Sequence, residues 1–178
     1  MRNQFVGDIN DYYKYTLLNY LAESSPVNVC WMLNPDIDGQ NSKFTKYPDY
    51  DDLAVFLKGL VKIDERHIKN IEYTHFVNIK NYYEQIADIP ENIDGVLFFD
   101  PDNGIEVKSS KKGDKRYLFY DDISRFIKKV DILVYQHFPR VPRDKYMKIK
   151  TQEILNKVIC SDVIHYPRSM VDFILIKK

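Results

Sequence analysis

Short apolar runs alternate with amphipathic segments along the chain, and this pattern predicts its elements. Apolar side chains recur at helical spacing over residues 9–23, which predicts a helix that ends before Pro26. The run VNVCWML that follows (27–33) is rich in β-branched and aromatic residues and is typical of a buried strand. Apolar runs at 95–100 and 131–138 predict two further buried strands.

The rest of the chain continues this alternation. Further helices are predicted at 50–62, 64–73, 80–89, 121–130 and 143–159, further strands at 75–79, 117–120, 161–166 and 171–178, and polar loops at 34–50 and 101–116. Strands that alternate with helices indicate a parallel sheet covered on both faces. Because only a short turn separates the last two strands, the final strand should run antiparallel. We expect one α/β domain over residues 1–178. It should have a Rossmann-like three-layer α/β/α arrangement and a mostly parallel sheet with an antiparallel C-terminal hairpin strand.

Composition and charge limit the classes of protein to which the chain can belong. The chain has 178 residues with 26 basic and 26 acidic side chains, so no net charge draws it as a whole to nucleic acid or to a membrane. Cys30 and Cys160 are its only cysteines, and their spacing fits neither a disulfide framework nor a zinc site. No apolar run approaches the roughly 18 residues that a membrane span needs. We therefore expect a soluble, cytoplasmic protein.

A cluster of acidic residues follows the apolar run 95–100. The sequence GVLFFDPDNGIEVK places Asp100, Asp102 and Glu106 around a turn that also contains Asn103. In open α/β sheets, ligands bind beyond the carboxyl ends of the strands. This turn is therefore the first candidate for a functional site.

Polar side chains also follow the predicted strand 131–138. We expect the strands 95–100 and 131–138 to be parallel neighbours, and Gln136, His137 and Arg140, at the carboxyl end of the second, should then face the same crevice as Asp100. His137 is suited to act as a general base. Arg140 is suited to hold a carboxylate or a phosphate through two hydrogen bonds.

The N-terminal segment FVGDINDYYKYTLLNYL resembles the opening of the ribosomal-RNA adenine-N6 methyltransferases, which are class I S-adenosylmethionine-dependent methyltransferases. Gly7, Asp8, Asp11, Lys14 and Tyr15 occupy the places of that family's Gly-Asn-x-x-Asp-x-x-Lys-His segment. The resemblance implies that this segment lies against the S-adenosylmethionine pocket, with Gly7, Asp8, Asp11 and Lys14 as cofactor-binding residues. Asp11 and Lys14 are also three residues apart, on one face of the predicted helix.

The acidic turn extends this resemblance. Enzymes that methylate amino groups carry Asp-Pro-Pro-Tyr or a relative of it after the fourth strand, and Asp100 and Pro101 match its first two positions. Asp102 replaces the second proline and Asn103 the aromatic residue, and the loop NPDIDGQ lacks the family's Gly-x-Gly turn. The resemblance implies a methyltransferase-like enzyme that acts on nucleic acid. The candidate residues are Asp100, Asp102 and His137 for catalysis, and Asn103, Gln136 and Arg140 for substrate binding.

Two other functions remain open. Asp100, Asp102 and Glu106 are hard oxygen ligands, and Lys108 follows at the Glu-x-Lys spacing found in metal-dependent nucleases. The same turn therefore also predicts a Mg²⁺-dependent nuclease or phosphoesterase. A third possibility is a non-catalytic binding protein on a methyltransferase-like fold. The basic loop from Lys108 to Arg116 is a candidate surface for a nucleic-acid backbone.

Overall fold

A computed structural model of the protein describes residues 9–32, 34, 61–62, 67–68, 74–76, 82–87, 89–168 and 170–178. The helices are α1 (Ile9–Ala22), α2 (Tyr82–Ala87), α3 (Tyr120–Phe126) and α4 (Arg143–Lys157). The strands are β1 (Val27–Cys30), β2 (Val61–Lys62), β3 (His67–Ile68), β4 (Thr74–Phe76), β5 (Val96–Phe99), β6 (Gly104–Ile105), β7 (Tyr117–Leu118), β8 (Asp131–His137), β9 (Asp162–Pro167) and β10 (Val171–Lys177). No helix among these residues is long and apolar enough to cross a membrane.

Six of the described strands form one sheet in the order β4-β1-β5-β8-β10-β9. β1 pairs in parallel with β4 and β5, and β5 pairs in parallel with β8. β10 is antiparallel to both of its neighbours, β8 and β9. The predicted adjacency of the strands at 95–100 and 131–138 is therefore confirmed, and so is the antiparallel final strand. The protein has a mixed α/β fold with a mostly parallel sheet.

Hydrophobic side chains pack on both faces of this sheet, because successive residues of a strand point to opposite faces. In β5, Leu97 and Phe99 belong to one core cluster, and Val96 and Phe98 belong to the other. The first cluster includes apolar residues of α2, α3 and α4, and the second includes those of α1. A strand buried on both faces needs apolar residues at every position, which explains the uninterrupted run in the sequence.

Two predicted helices have a different secondary structure where the structure describes them. Residues 61–62 and 67–68, which fall in the predicted helices 50–62 and 64–73, form the antiparallel pair β2 and β3. Short runs of mixed apolar and polar residues fit either kind of element, so periodicity alone misassigned them. The other residues of these two predicted helices lie outside the described part of the chain.

The predicted loop 101–116 contains a short strand. β6 pairs in parallel with β7, and beside this pair the Asn103 N–H donates to the Arg116 carbonyl over 2.8 Å. A strand of two residues produces no apolar run, so the sequence pattern could not reveal it. The other predicted loop, 34–50, lies outside the described residues apart from Asn34.

Gly95 fixes the entry of the chain into β5. Its φ is +77°, and the Val96 N–H that follows donates to the Pro26 carbonyl over 2.9 Å. A Cβ atom added at Gly95 would lie 2.0 Å from the Pro26 carbonyl oxygen. Both the backbone conformation and the close approach of the segment before β1 therefore require glycine here.

Gly95→Ala should destabilise the protein by about 2–5 kcal/mol, because a left-handed backbone and a steric overlap add together. Gly113→Ala is the matched control. Gly113 also has a positive φ of +82°, but its nearest neighbour is the ring of Tyr83, which is 56% exposed and can move. The control should cost only about 1–2 kcal/mol. Urea unfolding of both variants measures the difference, and equal losses would contradict the proposed packing constraint at Gly95.

Candidate functional site

The ammonium group of Lys14 lies between two carboxylates at the carboxyl end of β5. Lys14 Nζ donates to Asp11 Oδ1 and to Asp100 Oδ2, each over 2.8 Å. The three residues are only 2–3% exposed. Asp11 and Lys14 are on one face of α1, and Asp100 directly follows β5. The structure thus brings residues from the N-terminal segment and from the acidic turn into one buried ion cluster.

Two aromatic rings complete the surroundings of Lys14. Its Nζ atom is 5.0 Å from the ring centroid of Tyr135 in β8 and 5.8 Å from that of Trp31, which follows β1. Trp31 is fully buried and meets Phe98 of β5 edge to face, at 6.4 Å between centroids. Aromatic faces attract cations, so the rings and the carboxylates act on the ammonium in the same direction. Three adjacent strands, β1, β5 and β8, therefore contribute to the same cluster.

The charge of Lys14 is maintained by its partners. Burial is the largest single effect and would by itself lower the pKa of Lys14, but the negative charges of Asp100 and Asp11 and their hydrogen bonds outweigh it. Together they raise the pKa from its ordinary value of 10.5 to about 12. Lys14 is therefore an ammonium group throughout the neutral pH range.

Gln136 ties the acidic turn to β8. Its side chain accepts a hydrogen bond from the Ile105 N–H over 2.8 Å and donates to the carbonyls of Asn103 and His137, each over 3.0 Å. A Cβ atom at Gly104, where φ is +103°, would lie 2.3 Å from the Gln136 side chain, so the backbone of the turn packs directly on this amide. Gln136, a predicted substrate-binding residue, holds the backbone of the turn in place.

The three carboxylates of the turn have different surroundings. Asp100 binds Lys14, whereas Glu106 Oε1 accepts a hydrogen bond from the N–H of Tyr120, the first residue of α3, over 2.8 Å. Asp102, which lies between Asp100 and Glu106 in the sequence, is half-buried. In the part of the chain that the structure describes, no group of three or more His, Cys, Asp or Glu side chains is placed to hold a metal ion. Glu106 thus satisfies the N–H of the first residue of α3, which has no partner within the helix.

His137 is the last residue of β8 and Arg140 follows the strand, and both are at the surface. The His137 ring meets Tyr135 edge to face at 5.1 Å, and Tyr135 also lies against Lys14. Desolvation lowers the pKa of His137 below its ordinary value of 6.5, while the charges of Asp100 and Asp102 oppose this shift. The neutral ring, which can accept a proton, therefore predominates at pH 7. Arg140 is exposed.

The remaining predicted site residues belong to the N-terminal segment and to the basic loop. Gly7 and Asp8 lie outside the described residues. In the basic loop, Lys108 is exposed, and Arg116 binds Asp114 through its Nε atom over 3.0 Å and its Nη2 atom over 2.6 Å. This hydrogen bonding lowers the pKa of Asp114. Part of the positive charge of the loop is thus neutralised within the loop itself.

Trp31 and Tyr135 are the members of the site that the sequence did not indicate. Both belong to apolar runs, and such aromatic residues usually belong to the core. A signal was nevertheless present for Tyr135, because it directly precedes Gln136 and His137 at the end of a predicted strand. The two rings contact a cation only because α1 brings Lys14 to the carboxyl ends of β1 and β8.

No protein-family model matches the chain, and no curated protein matches its sequence. The fold and the site define a mixed α/β protein with a buried lysine–carboxylate cluster at the carboxyl ends of three strands.

Lys14→Met removes the ammonium group and leaves Asp11 and Asp100 buried without it. We expect a loss of about 3–5 kcal/mol of unfolding free energy, the usual result of removing one partner from a buried ion pair. Urea unfolding followed by the fluorescence of Trp31, the only tryptophan of the chain, measures this loss.

Two further variants control for the loss of packing. The triple variant Asp11→Asn, Lys14→Met and Asp100→Asn removes all three charges and should recover most of the stability, since a neutralised cluster is tolerated better than a broken one. Lys150→Met removes another buried lysine, whose partner Glu153 has a side chain that is 29% exposed, and should cost less than Lys14→Met. Equal losses for the two single variants would show that the cluster has no special role.

The stabilisation by Lys14 should depend on pH in the alkaline range only. A lysine whose pKa is higher in the folded state contributes stability that is fully present below pH 10.5 and is lost as the pH rises through about 12. The difference in unfolding free energy between the wild type and Lys14→Met should fall by about 2 kcal/mol across this window. Burial also raises the pKa values of Tyr82, Tyr120 and Tyr146, but their effects are present in both proteins and cancel. A difference that stays constant across the window would contradict the assignment to Lys14.

Proposed function

We propose that the protein is a methyltransferase-like enzyme that binds S-adenosylmethionine and acts on nucleic acid, on a Rossmann-like three-layer α/β/α fold. The observation that carries this proposal is the contact between Lys14 and Asp100. It joins the segment that resembles a methyltransferase opening to the turn that resembles a methyltransferase catalytic motif. The two segments are 86 residues apart in sequence, so their meeting is independent of the similarity of either one.

The order of the strands supports the same proposal. β10 lies between β8 and β9 and is antiparallel to both, while the strands on the other side of β8 are parallel to it. An otherwise parallel sheet with an antiparallel C-terminal strand is the arrangement that the resemblance implies. Asp100, Gln136 and His137 lie at the carboxyl ends of β5 and β8, where open α/β sheets bind their ligands.

Asp100 is the central residue of the proposed reaction. Lys14 binds its Oδ2 atom and so holds the carboxylate in one orientation. A carboxylate held in this way can accept a hydrogen bond from the amino group that is to be methylated. This hydrogen bond keeps the lone pair of the amino nitrogen directed at the methyl donor. His137, which is predominantly neutral at pH 7, is the proposed acceptor of the proton that the amino group loses.

The proposal places the cofactor beside Asp11 and Lys14, the described residues of the N-terminal segment whose charges match it. The methionine end of S-adenosylmethionine carries an ammonium and a carboxylate, for which Asp11 and Lys14 offer groups of opposite sign. When bound, the cofactor supplies an electrophilic methyl group. Asn103 and Arg140 remain the proposed contacts to the nucleic-acid substrate, with the loop from Lys108 to Arg116 as the proposed contact to its backbone.

S-adenosylmethionine should stabilise the protein against thermal unfolding. A ligand that binds only the folded state contributes about 2.7 kcal/mol at a hundredfold excess over its Kd. Asp100→Asn should lower the rate of methyl transfer to total RNA more than it lowers the affinity for the cofactor, because Asp100 is proposed to contact the amino group. Calorimetric titration and transfer of a labelled methyl group measure the two effects.

Asp131→Asn is the matched control. Asp131 is an aspartate in an ion pair with Lys177 at the opposite end of β8, so this variant should keep both cofactor binding and turnover. If Mg²⁺ stabilises the protein, S-adenosylmethionine does not, and Asp100→Asn abolishes the Mg²⁺ effect, the nuclease alternative replaces the methyltransferase proposal. If neither ligand changes the melting temperature, the protein acts as a binding protein.

A further inference from the structure

A hydroxyl group, an imidazole and a carboxylate form a chain of hydrogen bonds between α4, β9 and β10. Thr151 Oγ1 is 2.8 Å from His165 Nε2, and His165 Nδ1 is 2.5 Å from Asp172 Oδ2. A carboxylate accepts hydrogen bonds, so His165 Nδ1–H donates to Asp172. His165 Nε2 then has a free lone pair, which accepts the hydrogen bond of the Thr151 hydroxyl. This is the order of groups that activates a hydroxyl nucleophile in unrelated folds.

The burial of Asp172 distinguishes this chain of bonds from an ordinary surface contact. Asp172 is 0% exposed, and its Oδ1 atom has no hydrogen-bond partner in the described part of the chain. An unpaired carboxylate oxygen in the core destabilises the fold. The same burial strengthens the hydrogen bond between Asp172 and His165, because few water molecules compete with it. The arrangement therefore fixes the orientation of the His165 ring at the expense of stability.

A cavity opens directly onto the reactive end of this chain of bonds. Its volume is about 550 Å³, within the usual range of small-molecule sites. Its lining residues are Asp144, Met147, Lys148, Thr151, Gln152 and His165. Thr151 and His165 thus meet the cavity, whereas Asp172 lies behind them in the core.

We propose that Thr151, His165 and Asp172 form a second reactive site, in which Thr151 is a nucleophile towards small carboxylic esters that enter this cavity. Asp172 holds the imidazole in the required tautomer and stabilises it when it is protonated. Lys148 supplies positive charge on the cavity wall for the oxyanion that forms during attack, and Met147 supplies an apolar surface for the acyl chain.

The proposed reaction has two steps. In the first, Thr151 Oγ1 bonds to the acyl carbon and its proton moves to His165 Nε2. The ester C–O bond then breaks, and the alcohol leaves with that proton. In the second, His165 takes a proton from a water molecule that attacks the acyl carbon. The bond to Thr151 breaks, Thr151 regains the proton, and the carboxylic acid leaves.

The site is separate from the Lys14–Asp100 cluster, and it does not depend on the proposed methyl transfer. Asp172 lies opposite Gln136 in the β8–β10 ladder, so the two sites are at neighbouring strands of the same sheet. They share no side chain. A substitution in one site therefore removes no residue of the other.

The full-length protein treated with p-nitrophenyl acetate tests this inference. We expect a burst of p-nitrophenolate and an acetyl group on Thr151, located by peptide mass spectrometry. Thr151→Val keeps the shape of the side chain and should abolish the burst, whereas Thr151→Ser should retain it. His165→Gln should slow the acetylation of residue 151 by about 100-fold or more, the contribution expected of a general base.

Thr16→Val is the matched control, because it makes the same change on an exposed position of α1. It should leave the burst unchanged. Circular dichroism verifies that every variant folds. If Thr151→Val does not fold, the comparison of the wild type with Thr151→Ser and His165→Gln still decides the test. The inference is overturned if Thr151 is not acetylated in the wild type, or if a folded His165→Gln variant is acetylated at Thr151 at the wild-type rate.

Discussion

The ion cluster around Lys14 is the interaction on which the arrangement of the candidate site depends. An ammonium group that is buried to this extent loses its hydration, and only close opposite charges can replace it. Asp11 supplies one of them from the same helix, but Asp100 must come from the end of β5. Helix α1 is therefore held against the carboxyl ends of the parallel strands. A lysine beside apolar and aromatic side chains would otherwise be excluded from this position.

β8 provides a second support for the acidic turn, through the backbone of the turn. Gln136 lies in the strand next to β5 and binds the turn through both ends of its amide. Since Gly104 packs on this amide without a side chain, the turn comes close to the sheet. The orientation of Asp100 thus has two supports, one through its carboxylate from α1 and one through its backbone from β8. Such support from neighbouring elements is what a reactive carboxylate requires, because catalysis is sensitive to small displacements.

The antiparallel end of the sheet creates a different environment. β9 and β10 form a hairpin, and α4 packs beside it, so residues of all three elements meet at His165. Taken as single residues, His165 and Asp172 resemble ordinary polar positions in two strands. Their pairing joins the edge strand to the strand beside it, and the contact with Thr151 extends this connection to the helix. The two groups of polar residues therefore form in different places. The Lys14 cluster lies at the ends of parallel strands, and the group around His165 lies where a helix packs beside a hairpin.

The sequence by itself determined most elements of the described sheet and the strand ends at which Asp100 and Gln136 lie. Runs such as VLFF are apolar at every position because both of their faces are buried, and this signal is local. The three-residue spacing of Asp11 and Lys14 likewise indicated a shared helix face. Tertiary structure alone decided the partner of Lys14 across 86 residues, the rings of Trp31 and Tyr135 around it, and the hydrogen bond of Glu106 with the Tyr120 N–H. The same holds for β6 and for the contact of Thr151 with His165. The physical reason is that periodicity reports which face of an element is buried, whereas a contact between distant residues depends on strand order and register, which no local pattern records.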